Sequence, residues 1–331
     1  MKTQAELNAI IQEGISHLKY PRTADGMYEP IRYTLASGGK RLRPALVLIA
    51  ANLYTEELSQ AITPALGIEM YHNFTLLHDD VMDKAPERRG RATVHVKWND
   101  NQAILSGDAM VGLAYQLISE APSRVLKHVM DTFNLMNQEI CQGQQYDMEF
   151  ETRNDVTIEE YMEMIRLKTS VLLGRALQIG AYIGQDKTYG NLHELGVTRY
   201  ERLDKDIDAL FKFGTNLGLA FQLQDDWLDC WGNPKTFGKR IGGDILQDKK
   251  TFLRITALAN GKEPKTQGMT DEQKIEAYKE FYKKTGAEKA CRQAITRYHQ
   301  EAIKALSELS VSSEKLVPLK ELAAKLENRN V

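Results

Sequence analysis

Two short runs of aspartate carry the strongest chemical signal in the chain. Asp79-Asp80-Val81-Met82-Asp83 follows one apolar helical run, and Asp225-Asp226-Trp227-Leu228-Asp229 follows another. In each, the first and last Asp stand at i and i+4, so a helix puts both carboxylates on one face. Like charges at that spacing repel and weaken a bare helix. The apolar residues just upstream, Phe74 and Leu77 in one case and Leu219, Ala220 and Phe221 in the other, raise the cost further. A carboxylate taken out of water needs a partner. Hard oxygen ligands on a rigid face suit Mg²⁺, which takes one or two carboxylates and leaves other positions to waters and substrate phosphates. A solvated helix end explains a single cluster equally well. Two copies, both followed by basic residues, favour the metal.

Those basic residues have their own logic. Gly38-Gly39-Lys40-Arg41-Leu42-Arg43-Pro44 reads as a small-residue turn leading into a helix. It offers three cations and free N–H groups, a cradle for phosphate. Arg88-Arg89-Gly90 follows the first aspartate run; Lys239 and Arg240, then Gly242-Gly243-Asp244 and Lys249-Lys250, follow the second. Lys168-Thr169 sits in an apolar stretch with Ile165, Leu167, Val171 and Leu172, where a lysine ordinarily reaches back to solvent. Each cluster alone fits a solvated face. Carboxylates that want Mg²⁺ beside cations that want phosphate point to more than one bound diphosphate.

Composition narrows the field. With 45 acidic residues against 43 Lys plus Arg, the net charge of −2 argues against a dedicated nucleic-acid binder. Any anion must be held by a local basic cluster. Cys141, Cys230 and Cys291 are odd in number and far apart, with no CxxC pair. This excludes a disulfide framework and a standard zinc site and fits a reducing compartment. The seven histidines form no metal set. The N-terminus lacks the long apolar run of a signal peptide, and no stretch of 18 uncharged apolar residues predicts a membrane span. The expectation is a soluble, cytoplasmic protein without stable membrane insertion.

The elements that must position these groups read as helices. Only 9 prolines occur, and alternating Val/Ile strands are scarce. Apolar residues recur at helical spacing over 45–53, 61–77, 103–118, 161–183 and 211–228. Thr3-x-x-Glu6, Thr157-x-x-Glu160 and Thr270-x-x-Gln273 match the capping box. Pro64 suits the first turn of a helix. The stretch 103–118 is apolar nearly all round and predicts a central helix. Polar segments 150–155, 185–208 and 261–273 read as loops or short surface helices. Met70, Met82, Met110 and Met136 read as core filler. No repeat, low-complexity tract or Gly/Ser linker divides the chain. The expectation is a single all-α domain over residues 1–331, a bundle of about ten or more helices.

In order and spacing, GGKRLRP, LLHDDVMDKAPERRG, Lys168-Thr169, FQLQDDWLD and GKRIGGDILQDKKTF resemble the trans-isoprenyl diphosphate synthases, or polyprenyl synthetases. The motifs span positions 38 to 252, and QGQQYD (Gln142 to Asp147) is similar to the family's GQxxD segment. The resemblance implies an all-α fold with a central substrate cavity, a homodimer, two to three Mg²⁺ ions, and head-to-tail condensation of isopentenyl diphosphate with an allylic diphosphate. It implies that Asp79 and Asp83 hold Mg²⁺ on the allylic diphosphate, and that Asp225, Asp226 and Asp229 hold a further ion. Arg88, Lys168, Lys239 and Lys249 would contact the allylic diphosphate. Lys40, Arg43, His72 and Arg89 would bind isopentenyl diphosphate. Thr169 and Gln222 would line the reacting carbons. Gln247-Asp248 stands where many bacterial members carry an acidic residue and Gly, which blurs the choice between Lys249 and Lys250; register from Asp244 favours Lys249.

Product length follows from the residues upstream of Asp79. On an ideal helix Thr75 lies one turn below it, ~6 Å along the axis, with Tyr71 a turn further and Phe74 to the side. The family pattern implies that an aromatic five positions before the first Asp, here Phe74, stops growth early. With Thr75 in place of a second aromatic, the resemblance is closer to geranylgeranyl than to farnesyl synthases. The expectation is C15 to C20, with C20 preferred. Two other classes stay open: a non-catalytic subunit that tunes another synthase, and a class I terpene cyclase. Two intact aspartate runs weigh against the first, and GGKRLRP with the second DDxxD against the other.

Overall fold

The computed structural model describes residues 2–21, 23–188, 201–233 and 241–328. Among these residues the only strands are Glu87–Arg88 and Arg91–Ala92, which pair antiparallel. The helices are α1 (Gln4–Ser16), α2 (Asp25–Leu35), α3 (Leu42–Asn52), α4 (Ser59–Met82), α5 (Val94–Lys97), α6 (Asp100–Ile118), α7 (Leu126–Thr152) and α8 (Ile158–Ile165). A π-helical turn, Arg166–Ser170, joins α8 to α9 (Val171–Gly184). There follow α10 (Glu201–Trp231), α11 (Gly243–Leu246), α12 (Phe252–Asn260), α13 (Asp271–Lys284), α14 (Ala287–Leu306) and α15 (Val317–Glu327). The all-α reading of the sequence stands. Among the described residues no helix is long and apolar enough to cross a membrane.

The described residues form two compact units. One comprises those within Met1–Phe133, Ala176–Ile207 and Val311–Pro318; the other, those within Asn134–Arg175, Asp208–Ser310 and Leu319–Val331. In the first, α3 is the innermost helix, and every residue from Pro44 to Asn52 is buried. This corrects the expectation for 103–118, because α6 leaves Ile104 45% and Leu105 52% exposed. Its buried line runs through Ala103, Ser106, Gly107, Met110, Ala114 and Ile118. Mostly small side chains on that line let α6 lie close along one side, so the larger apolar residues are left on the other. Met82 is likewise exposed, whereas Met70, Met110 and Met136 are core.

Two boundaries also differ. Helix α4 begins at Ser59, which puts Pro64 in its second turn. The chain there lacks one N–H, yet the helix continues to Met82, because the residues buried next along it, Ala65, Leu66, Gly67 and Ile68, are apolar or small and pack in the core. Residues 201–208, expected outside the long helices, open α10. One apolar residue per turn suffices there, Ile207 being fully buried, and Asp206 accepts the Tyr54 hydroxyl at 3.1 Å. Residues 189–200 lie outside the described residues. All three capping boxes form, with the hydroxyl on the N3 amide and the N3 side chain returned to the cap.

The second unit packs around Tyr161, Leu219, Leu223, Cys230, Leu253, Tyr278, Tyr282 and Cys291. Helices α13 and α14 therefore brace the part of α10 that carries the second aspartate run. Trp227 and Trp231 lie partly buried against this core, with ring centroids 5.6 Å apart.

Candidate active site

In the first unit the site is built at the end of α4. Asp83 caps the helix, and its N–H donates to the Asp79 carbonyl at 2.9 Å, so the two carboxylates are one turn apart on one side. Asp83 is exposed and Asp79 half-buried. Asp80 is buried and takes Arg88, whose Nε and Nη2 both reach Oδ1 at 2.8 Å. Arg88 Nη2 also lies 3.6 Å from Asp79. Burial raises the Asp80 carboxyl to about 6 against the pull of Arg88. The helix dipole adds to the demand for positive charge. Three carboxylates crowd its negative end, and the last turn of α4 carries no basic residue.

Beside them lies a cluster of cations, of which Arg41 is buried, Arg43 half-buried and Arg89 exposed. Arg41 opens α3 in a left-handed conformation and is itself buried. Its guanidinium donates to Glu69 at 2.6 Å and to the Leu35 carbonyl. Asn73 donates to the same Glu69 oxygen at 2.9 Å. Arg89, also left-handed, donates to the Gly38 carbonyl, and a Cβ on Gly39 would come within 2.9 Å of its Nη1. Both glycines have positive φ, 76° at Gly38 and 125° at Gly39, which favours glycine, and Gly39 also leaves room for the Arg89 guanidinium. Burial, opposed by Glu69, lowers the Arg43 guanidinium to about 10. Burial lowers Arg89 as well. His72 is buried, and that burial together with the charges of Arg43, Arg89, Arg88 and Arg41 holds its imidazole well below the usual range, so it is neutral. Lys40 is exposed. Sequence reasoning missed Glu69. The available signal was a lone carboxylate inside the apolar run Ile68-Glu69-Met70-Tyr71, which demands a buried cation.

Below the carboxylates the α4 side chains form an aromatic series. Phe74 meets His78 at 4.8 Å between centroids and Tyr71 at 5.4 Å; Tyr71 meets Phe133 at 5.3 Å, and Phe133 meets Tyr115 at 4.8 Å. Tyr71 and Phe133 are fully buried. Thr75 turns its hydroxyl back onto the His72 carbonyl at 2.8 Å. His78 Nε2 lies 3.1 Å from the Ile104 carbonyl, an orienting contact.

In the second unit Lys168 and Thr169 lie in the π-helical turn. Lys168 Nζ donates to Asp147 at 2.6 Å. Gly143 makes that approach possible, since a Cβ there would stand 2.3 Å from the Lys168 amide nitrogen. Asp147, the last residue of QGQQYD, therefore belongs to this set. Thr169 donates to Gln222 Oε1 at 3.4 Å, and Gln222 donates to Asp226 Oδ1 at 3.3 Å. Asp226 is buried, and its Oδ2 accepts the Tyr161 hydroxyl. Burial raises both of these groups well above their usual ranges, so Tyr161 keeps its proton and donates.

Asp225 is half-buried and Asp229 buried, at i and i+4 on α10. Here too the last turn carries no basic residue. Asp229 Oδ2 accepts the Asp244 amide at 3.1 Å, which seats Gly242-Gly243-Asp244 against it. Lys249 is exposed, 3.9 Å from Asp244. Lys250 donates to the Glu151 carbonyl at 2.9 Å, a structural contact. Asp248, left-handed at φ 54°, is held by Arg254 at 2.8 Å and Lys274 at 3.2 Å. Lys239 and Arg240 lie outside the described residues. Among the described residues no group of three His, Cys, Asp or Glu side chains converges as a metal cage. One or two carboxylates per ion is the donor set that Mg²⁺ ordinarily takes, and each aspartate run offers that much.

The comparisons with known proteins first fix the class. A solved geranylgeranyl pyrophosphate synthase superposes with a TM-score of 0.89 at 40% identity, over 100% of both chains. The polyprenyl synthase of Caulobacter crescentus, solved with calcium and isoprenyl diphosphate, superposes at 0.79 with 27% identity, over 99% of this chain and 94% of that one. The fold is that of the all-α isoprenyl synthases. The geranylgeranyl diphosphate synthase of Methanosarcina mazei is 40% identical over 238 residues, spanning 71% of this chain and 68% of that one. Residues 24–295 match the family described as polyprenyl synthetase, and the chain belongs to it.

The Arg41–Glu69 pair carries a stability prediction. Glu69→Ala leaves a buried guanidinium without its carboxylate and should cost about 3–5 kcal/mol. Urea unfolding measures it. A loss under about 1 kcal/mol would mean that water reaches Arg41.

Proposed function

We propose that the chain is a short-chain trans-isoprenyl diphosphate synthase that condenses isopentenyl diphosphate head to tail with dimethylallyl, geranyl or farnesyl diphosphate. The observation that carries this reading is the gathering of cations beside the carboxylate turn of α4: Arg88 on Asp80, Arg89 seated on the Gly38 carbonyl, and Arg43, around buried, neutral His72. Several positive charges gathered on one neutral imidazole, with Glu69 and Asp80 only partly offsetting them, favour an anion as densely charged as a diphosphate.

Lys40, Arg43, His72 and Arg89 take isopentenyl diphosphate. Arg88, Lys168, Lys239 and Lys249 take the allylic diphosphate. Asp79 and Asp83, and Asp225 with Asp229, would hold Mg²⁺, which would supply charge neutralisation for the departing diphosphate. The allylic C–O bond breaks and its electrons leave with the diphosphate. The double bond of isopentenyl diphosphate attacks the allylic cation, the new C–C bond forms, and a proton is lost to the released diphosphate. Fixed arginines and lysines stabilise the growing negative charge without reorganising. Thr169 and Gln222 present oxygens near the cation, and apolar walls keep water from it.

Purified protein with Mg²⁺, isopentenyl diphosphate and, separately, the C5, C10 and C15 allylic diphosphates should give products ending at C20, read by mass. Condensation that stops at C15 would keep the activity and change the length. No condensation by folded protein would favour a regulatory subunit, and cyclised product without isopentenyl diphosphate a cyclase.

Phe74 sets the length. Its ring rests on Tyr71, which rests on Phe133, so Phe74→Ala removes the first layer and leaves the second. The variant should lengthen the product by at least one isoprene unit in the same assay. An unchanged ladder would pass the role to Tyr71.

The exposed apolar residues of α6, Ile104 and Leu105, fit a second copy of the chain. Leu105→Glu should shift the mass measured by light scattering from dimer towards monomer. An unchanged dimer would remove α6 from the interface.

A further inference from the structure

Tyr161 has no role in the reaction as drawn, yet it holds one of the aspartates. It stands one turn into α8, whose start is fixed by the Thr157 capping box. Its ring is 3% exposed, packed in the core with Leu223 and Cys230. A phenol buried that deeply needs a hydrogen-bond partner. The partner is Asp226, itself 4% exposed. The other Asp226 oxygen accepts from Gln222, and the Gln222 carbonyl accepts from Thr169. A continuous line of bonds thus runs from the π-helical turn to α8, with Asp226 receiving at its centre.

This arrangement divides the second aspartate run. Asp225 and Asp229 share one side of α10; Asp226 lies about 100° round the helix from Asp225. The rotation of α10 about its own axis decides where Asp225 and Asp229 point. A buried bond to Asp226 fixes that rotation. The first run repeats the pattern with a different partner: its second carboxylate, Asp80, is 6% exposed and held by Arg88.

We infer that Tyr161 is a positioning residue. By anchoring Asp226 in the core it sets the angle at which Asp225 and Asp229 meet a divalent cation, and Asp226 serves as anchor instead of ligand. The assignment rests on the function proposed above and reassigns the metal role that the resemblance implied for Asp226.

The test uses the full-length chain and Tyr161→Phe, which keeps the ring and removes the hydroxyl. Mn²⁺ binding in the presence of inorganic diphosphate is followed by electron paramagnetic resonance, without turnover. The half-saturating Mn²⁺ concentration should rise about tenfold, the usual effect of losing a partner that orients a metal ligand. The half-saturating Mg²⁺ in turnover should rise in parallel, while KM for isopentenyl diphosphate stays within about twofold. A loss of folded protein alone would lower activity without moving either cation concentration. Asp226→Asn should shift Mn²⁺ binding by a similar factor, and the double variant no further, because the two residues act through one bond. Should Tyr161→Phe not fold, Asp226→Asn is compared with Asp225→Asn: the first should weaken Mn²⁺ binding and the second abolish it. Unshifted Mn²⁺ binding in Tyr161→Phe, additive effects in the double variant, or equal abolition by Asp226→Asn and Asp225→Asn would each overturn the assignment. If wild-type protein neither binds Mn²⁺ with diphosphate nor makes product, the proposed function falls, and this assignment with it.

Discussion

Three carboxylates gather at the C-terminal end of α4 and three more near that of α10, and neither last turn contains a lysine or arginine. The backbone dipole already presents negative charge there, so every aspartate sits where electrostatics oppose it. A protein designed for stability alone would place cations at these positions. Much of the surrounding structure reads as a response to that opposition. Arg88 crosses from the hairpin to Asp80, the amide of Asp244 closes on Asp229, and Tyr161 reaches Asp226. In each run these contacts settle the inner carboxylate and leave Asp79, Asp83 and Asp225 with some exposure. The strain is concentrated where a cation would relieve it.

The cations are under the converse constraint. Arg41, Arg43 and Arg89 approach one another around an imidazole that their charges and its own burial keep neutral. One carboxylate, Glu69, serves the group, and most of its strength goes to Arg41. Arg41 is thereby a structural member, fixing the start of α3, whereas burial lowers the Arg43 guanidinium and Glu69, whose hydrogen bond goes to Arg41, only partly opposes it. Two arginines separated by one leucine therefore have unlike duties. The difference arises from helix geometry: at the N-terminus of α3, residues 41 and 43 point to different sides.

How much of this was legible in the sequence depends on whether the cause is local. Capping boxes at Thr3, Thr157 and Thr270 involve four consecutive residues and formed as read. The i and i+4 aspartates were legible for the same reason. What escaped was set by packing between distant segments. The π-helical turn at Lys168 follows from the backbone of α7 pressing close at Gly143, which no periodicity within 161–183 reveals. Helix α6 looked central because apolarity was counted without asking which residues are small; its buried line is mostly Ala, Ser and Gly. Glu69 and Tyr161 carry no motif at all. Their importance comes from the charge or hydroxyl they meet across more than 25 residues of chain.

Identical motifs also need not be held identically. Asp80 is anchored by a cation that leans on Asp79 too, so its anchor and the neighbouring carboxylate compete for one guanidinium. Asp226 is anchored by a neutral phenol and an amide, which fix its position by hydrogen bonds alone. The two runs therefore differ in how freely their outer carboxylates can answer an arriving cation and diphosphate. At the first, Arg88 can pass from Asp80 and Asp79 to a phosphate, with little change in the total number of charge-assisted bonds. At the second, the anchor has no such alternative and stays in place. A site that must ionise one substrate gains from the first kind of run, where charge can be handed over. The second kind suits a fixed support that keeps its geometry throughout the reaction.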